Sequence, residues 1–122
     1  MQDNLTSQII GCAIEVHKNP GPGLLEETYK KCLVYELNNR GLTFEVEYPL
    51  PVKYKDIRLN CGYRIDILVE NQVIIELKSV QKLSNIHEAQ LLTYMKLANA
   101  TVGLLINFNE IRLVDGVKRF KL

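Results

Sequence analysis

Asp66, Glu76 and Lys78 are charged residues set in the most strand-like stretch of the chain, Tyr63-Arg64-Ile65-Asp66-Ile67-Leu68-Val69-Glu70-Asn71-Gln72-Val73-Ile74-Ile75-Glu76-Leu77-Lys78. A charge inside an apolar strand has to be paired, hydrogen-bonded or put to use. Two carboxylates brought together make a hard, oxygen-rich site suited to Mg²⁺ or Mn²⁺. Without a cation they repel, so they need a shared proton or a positive neighbour. Lys78, two residues after Glu76, projects to the same side and supplies part of that compensation. It would equally orient an attacking water or stabilise charge developing on a phosphorus centre. The bland alternative is a cross-strand salt bridge at a sheet end, and an acid-x-Lys triplet alone leaves both readings open.

The geometry depends on one turn. A three-residue loop centred on Asn71 opposes Asp66 to Glu76 and Arg64 to Lys78, and puts these four on one face with Leu68 and Ile74. The other face then carries Ile65, Ile67, Val69, Val73, Ile75 and Leu77, all apolar. A two-residue Asn71-Gln72 turn would oppose Asp66 to Leu77 and send the carboxylates to opposite faces. The clean partition favours the first register.

Four further residues are candidates by position. Glu26 falls on a helical stripe with Leu25, Tyr29, Leu33 and Leu37, whereas Glu27 sits four residues before Lys31 as a solvent-facing pair. If that helix crosses the polar end of the hairpin, Glu26 is a third carboxylate; otherwise it is capped or snorkels to solvent. His17 lies on another helical stripe, either as a satisfied core residue or as a ligand. Gln90 and Tyr94 stand one helical turn apart, either at the core edge or holding a phosphate or a water. His87, a turn earlier, caps its helix or faces solvent.

The elements that must position these residues follow from periodicity and punctuation. Helices are expected over about 6–17, 22–40 and 85–98. Pro22 suits a helical first turn, Gly41 a left-handed C-cap, and Ser84 or Asn85 an N-cap, with Asn85 and Glu88 as an approximate capping box. Alternation through Phe44, Val46 and Tyr48, then Val52 and Tyr54, indicates strands that Pro49 and Pro51 confine to edges or bends. After the hairpin, 101–108 reads as a buried strand, 111–114 as another short one, and 117–122 as an edge strand. The helix at 85–98 suits a crossover to a parallel strand at 102–108. The order predicts one domain over 1–122 of the α/β (α+β) class, a mixed central sheet flanked by helices.

Composition narrows the setting. A 122-residue chain buries about two-thirds of its unfolded surface as one domain. No apolar run approaches the roughly 20 residues of a membrane span, and Met1-Gln2-Asp3-Asn4 lacks the basic and apolar regions of a signal peptide. Cys12, Cys32 and Cys61 are widely spaced with no CxxC, as expected of reduced thiols in a cytoplasmic protein. The formal net charge of +1 gives no global basic field, and leaves room for a local basic groove.

Together these residues resemble a family. Gly23-Leu24-Leu25-Glu26-Glu27-Thr28-Tyr29 matches the GxxExxY signature of a small prokaryotic family grouped with the PD-(D/E)xK nuclease superfamily. Val16-His17-Lys18-Asn19-Pro20-Gly21-Pro22 looks like its approach to the motif, and Leu104-Leu105-Ile106-Asn107-Phe108 like its late strand. Asp66 with Glu76-Leu77-Lys78 is similar to the superfamily's divided D…ExK motif, with Ile65 where a proline often precedes the aspartate. Gln90-x-x-x-Tyr94 is similar to the QxxxY motif of the RecB-like branch. The resemblance implies a restriction-endonuclease-like core and a Mg²⁺- or Mn²⁺-dependent nuclease acting on DNA more than RNA. It also implies Asp66 and Glu76 as metal ligands that share catalysis with Lys78, Glu26 as the first-helix acid, Gln90 and Tyr94 as substrate-holding or site-organising residues, and a lesser metal-binding role for His17. The alternative is a non-catalytic nucleic-acid- or protein-binding module that keeps the fold. The short chain leaves little room for substrate-clamping domains, so a homo-oligomer or a protein partner is a candidate addition.

Overall fold

The computed structural model describes residues 4–122, so Met1-Gln2-Asp3 and the leader reading made on them lie outside the described residues. Helix α1 (Asn4–Lys18) and helix α2 (Glu26–Asn39) come first, then strand β1 (Phe44–Pro49) and a short ribbon of β2 (Val52–Tyr54) and β3 (Ile57–Leu59). The hairpin β4 (Arg64–Val69) and β5 (Val73–Lys78) follows, then helix α3 (Asn85–Ala98), strand β6 (Val102–Asn107), a 3₁₀ turn at Leu113–Gly116, and β7 (Val117–Lys121). Five strands form one sheet in the order β1-β4-β5-β6-β7, while β2 and β3 pair only with each other. β5 and β6 are parallel across the α3 crossover, and the other neighbours are antiparallel, so the sheet is mixed.

Three layers result. Ile9, Cys12, Ala13 and Val16 of α1 and Tyr29, Leu33 and Leu37 of α2 recur along one side of each helix, and the two stripes form one core with Ile67, Val69, Val73, Ile75 and Leu77. Leu91 and Met95 of α3 cover the opposite face over Leu68, Ile74 and Leu105. β6, covered on both faces, is buried at every residue. Gly103 lets α3 settle on it: an added Cβ would stand 2.6 Å from Met95 Sδ and 3.0 Å from Leu91 Cδ1.

Several expectations need correction. α2 starts at Glu26 rather than near Pro22, because Gly21 and Gly23 take φ of +70° and +102° in a turn that no helix can absorb. The Tyr29 hydroxyl fastens that turn, donating to the Gly21 carbonyl at 2.5 Å and accepting from the Leu24 N–H at 3.1 Å. Leu25, 77 % exposed, and the exposed Glu26 therefore lie ahead of the inward stripe. Glu27 pairs with Lys30 at 3.0 Å rather than with Lys31. The N-terminal capping pair of α3 is Ser84 with His87, the Ser84 N–H donating to Nδ1 at 3.1 Å, while Glu88 receives Lys118 at 2.6 Å. The expected strand at 111–114 gives way to the 3₁₀ turn: Leu113 tucks into the core while Ile111 and Val114 stay exposed, so no period-two face forms. Among the described residues no helix is long and apolar enough to cross a membrane.

Candidate active site

The hairpin adopts the register centred on Asn71. Ile67 pairs with Ile75, Leu68 with Ile74 and Val69 with Val73. Glu70 and Asn71 both take left-handed φ, +53° and +54°, and the Gln72 N–H donates to the Val69 carbonyl at 2.9 Å. The same register sets Asp66 opposite Glu76, but there the ladder stops. β4 continues along β1 through Tyr48–Ile65 and Pro49–Arg64, and β5 continues along β6 through Glu76–Leu105 to Lys78–Asn107. The sheet forks, and the two carboxylates occupy the fork. The Asp66 N–H donates to Glu76 Oε2 at 2.9 Å, and the Leu77 N–H donates to Asp66 Oδ2 at 2.9 Å. Each acid thus accepts from the backbone of the opposite strand.

The facing pattern is not the strict alternation expected from the sequence. Ile65 packs in the α3 layer with Leu68 and Ile74, whereas Ile67 and Val69 pack under α1 and α2. The chain turns over at Asp66, where Glu47 of β1 takes φ +51° and the β1–β4 ladder skips a pair. Asp66 consequently shares a recess of ≈ 90 Å³ with Glu26, Glu27, Lys30 and Leu77. Lys78 instead lines a cleft of ≈ 680 Å³ with Tyr63, His87, Gln90 and Tyr94.

Electrostatics mark the fork as undercompensated. Glu76 is only 5 % exposed. Burial and then the charge of Asp66 push its carboxyl up to about 8, against the pull of the Asp66 N–H and Lys78. Burial also raises Asp66, although the Leu77 N–H and the Lys30 and Lys78 charges oppose it. The charge of Glu26 pushes both acids further up. Burial pushes the Tyr94 phenol up, and the neighbouring negative charge of Glu76 adds to the shift.

Of the sequence candidates, Asp66 and Glu76 interlock, Glu26 stands at the rim of the same recess, and Lys78, Gln90 and Tyr94 share the adjoining cleft. Gln90 Nε2 donates to the Tyr94 hydroxyl at 3.3 Å. His17 is engaged elsewhere: Nε2 lies 2.7 Å from the Glu110 carbonyl, which only accepts, so that nitrogen carries the proton. Among the described residues no three His, Cys, Asp or Glu side chains form a ready-made metal cluster.

Three neighbours escaped the sequence reading. Lys30, 7 % exposed, reaches Glu27 at 3.0 Å and Glu47 at 3.4 Å. Burial pulls its ammonium down, but the bond to Glu27 and the charges of Glu27, Glu47 and Asp66 outweigh this, and the net shift is upward. Its spacing from Glu26 and Glu27 along the helix was the available signal. Asn107, fully buried at the end of β6, accepts from the Val80 N–H at 3.1 Å and donates to the Val80 carbonyl at 2.9 Å, fixing the segment after Lys78. A polar residue closing the apolar run Val102–Ile106 was its signal. Tyr63 packs edge-on against Tyr94 with centroids 6.1 Å apart.

A family model for the PD-(D/E)XK nuclease superfamily matches residues 3–120. No curated protein and no solved structure matches the chain.

Proposed function

The chain belongs to the PD-(D/E)XK nuclease superfamily, and from that premise we propose that it is a Mg²⁺- or Mn²⁺-dependent phosphodiesterase acting on nucleic acid, DNA before RNA. The observation that carries the proposal is the fork, where the buried carboxyl of Glu76 meets the half-buried carboxyl of Asp66 with too little positive charge between them. Their donor chemistry fits a hard divalent cation, and the recess of ≈ 90 Å³ beside Asp66, lined also by Glu26, Glu27 and Lys30 though not by Glu76, has room for a few waters at about 30 Å³ each. Asp66 and Glu76 would hold the ion, with Glu26 as a further acid. When bound, such an ion polarises a phosphate oxygen and acidifies a water.

The remaining work falls to side chains of the cleft. Lys78 orients the attacking water or stabilises charge on the phosphoryl oxygens. Gln90 and Tyr94 donate hydrogen bonds to a phosphate or to that water. His17 is read as a fastener of the loop after β6, given its bond to Glu110. The Gly23-to-Tyr29 and Gln90-to-Tyr94 matches support placement among GxxExxY proteins near the RecB-like branch. Three free cysteines support a reducing, cytoplasmic setting.

Labelled DNA incubated with Mg²⁺ or Mn²⁺ tests the mechanism. Lys78→Ala should lower the cleavage rate at least about a hundredfold, with Asp66→Asn and Glu76→Gln similarly impaired. Lys78→Ala protein that cleaves as fast as wild type would sink the assignment. A second reading, a non-catalytic binding module, draws support from the absence of a ready-made three-ligand cluster among the described residues.

A further inference from the structure

The cleft beside Lys78 is of a different chemical character from the fork. Its volume of ≈ 680 Å³ lies within the roughly 300–1,000 Å³ of sites that enclose a small molecule. Apart from Lys78, His87 and Gln90 its walls are mainly apolar or aromatic, with Val52, Ile86 and Leu97 beside Tyr63 and Tyr94. Tyr63 is held edge-on by Tyr94 yet stays 46 % exposed, and Ile86 is 72 % exposed. A duplex presents phosphates and sugars on its outside and keeps its base faces stacked, so it has no use for such walls. An unpaired base offers a flat π-face that aromatic side chains stack upon.

The β2–β3 ribbon supplies the matching charge. Lys53 lies directly opposite Arg58 across the ribbon, a like-charge placement that is destabilising by itself. Among the described residues neither makes an ion pair. Asp56 shares their recess and is the ribbon's one acid, against Lys53, Lys55 and Arg58. Leu97 lines both this recess and the cleft, and Val52 of β2 lines the cleft as well, so the two adjoin.

We propose that the substrate strand is bound unpaired, with one base stacked on Tyr63 in the cleft beside Lys78 and the flanking backbone carried by Lys53 and Arg58 on the ribbon. This rests on the nucleic-acid reading above and narrows its substrate to single strands or frayed ends.

Fluorescence anisotropy of the full chain in EDTA tests it, with a short labelled oligothymidine and a blunt duplex as probes. The single strand should bind at least about tenfold more tightly than the duplex. Tyr63→Ala should weaken single-strand binding about 5- to 150-fold, while Tyr63→Phe, which keeps the stacking face, stays within about twofold. Ile86→Ala, at a more exposed position, should weaken it in the same direction. Lys53→Ala with Arg58→Ala should reduce the slope of log affinity against log salt by about 1.4, roughly 0.7 for each cation. Equal affinity for duplex, an unaffected Tyr63→Ala, or no binding of either probe would overturn the proposal, the last leaving the cleft to a peptide. Cleavage is scored separately. Single-strand binding without cleavage in Mg²⁺ or Mn²⁺ rejects the nuclease and keeps this inference; duplex cleavage without single-strand preference does the reverse.

Discussion

Glu76 is held by groups that oppose one another, and the balance sets a pH dependence. Its carboxyl loses most of its hydration and faces Asp66, so in the folded chain it keeps its proton up to about pH 8, against an ordinary value of 4.5. Between those two values the native state binds more protons than the unfolded state. Its contribution is therefore fully present below about pH 4.5 and is lost as pH rises through about 8. Each unit inside that window is worth at most about 1.4 kcal/mol. Asp66, raised by the same burial, acts in the same direction. Metal-free protein should accordingly melt at a lower temperature at pH 8 than at pH 5.5, and Glu76→Gln should flatten most of that slope. Calorimetric melting of both proteins in EDTA checks this; a slope unchanged by the substitution would mean that Glu76 titrates as an ordinary carboxylate.

At the scale of elements, the fork exists because neighbouring segments hold its tines. β5 stays on β6 as far as Lys78–Asn107, and the Asn107 side chain then clamps Val80 through both its amide atoms. The Phe108 N–H donates to the Lys78 carbonyl at 2.9 Å, and the Phe108 ring stacks on Tyr29 at 4.6 Å. Asn107→Ala would strand the Val80 and Asn109 amides that its carbonyl oxygen serves. The expected cost is on the order of 2 kcal/mol, read as a lower denaturation midpoint. Loss of cleavage should exceed that of an equally destabilising core variant, since the released segment adjoins Lys78. Equal losses in the two variants would reduce Asn107 to a purely structural role. The hairpin register was legible because a three-residue turn sorted polar from apolar residues, and β-branched strands enforce such a partition. The turnover at Asp66 was not legible: it depends on Glu47 in another strand adopting positive φ, and nothing in local alternation reports that. For Lys30 the spacing from Glu26 and Glu27 was visible, but its approach to Glu47 was not, because only the packing of α2 shows which shoulder of the stripe meets β1.

At the scale of the molecule, the layer order and the parallel crossover were readable from periodicity and punctuation, whereas convergence was not. Glu26 and Lys30 come from one helical layer, Asp66 and Glu76 from the sheet, and Gln90 and Tyr94 from the other layer. The proposed site draws on all three layers and would exist only in the folded chain, so an ion bound there would stabilise the whole fold by mass action. At an ion concentration about a hundredfold above its dissociation constant the gain is about 2.7 kcal/mol, a rise of about 5–15 °C in melting temperature for a domain of this size. Mg²⁺ or Mn²⁺ added at pH 7.5 should produce that rise in the wild type. Asp66→Asn with Glu76→Gln should lose most of the response to the ion. Glu26→Gln should lose only part of it, being exposed at the rim. Two outcomes would count against the metal site. A wild type indifferent to millimolar divalent ions favours the binding module, and a double variant that still responds locates the ion elsewhere.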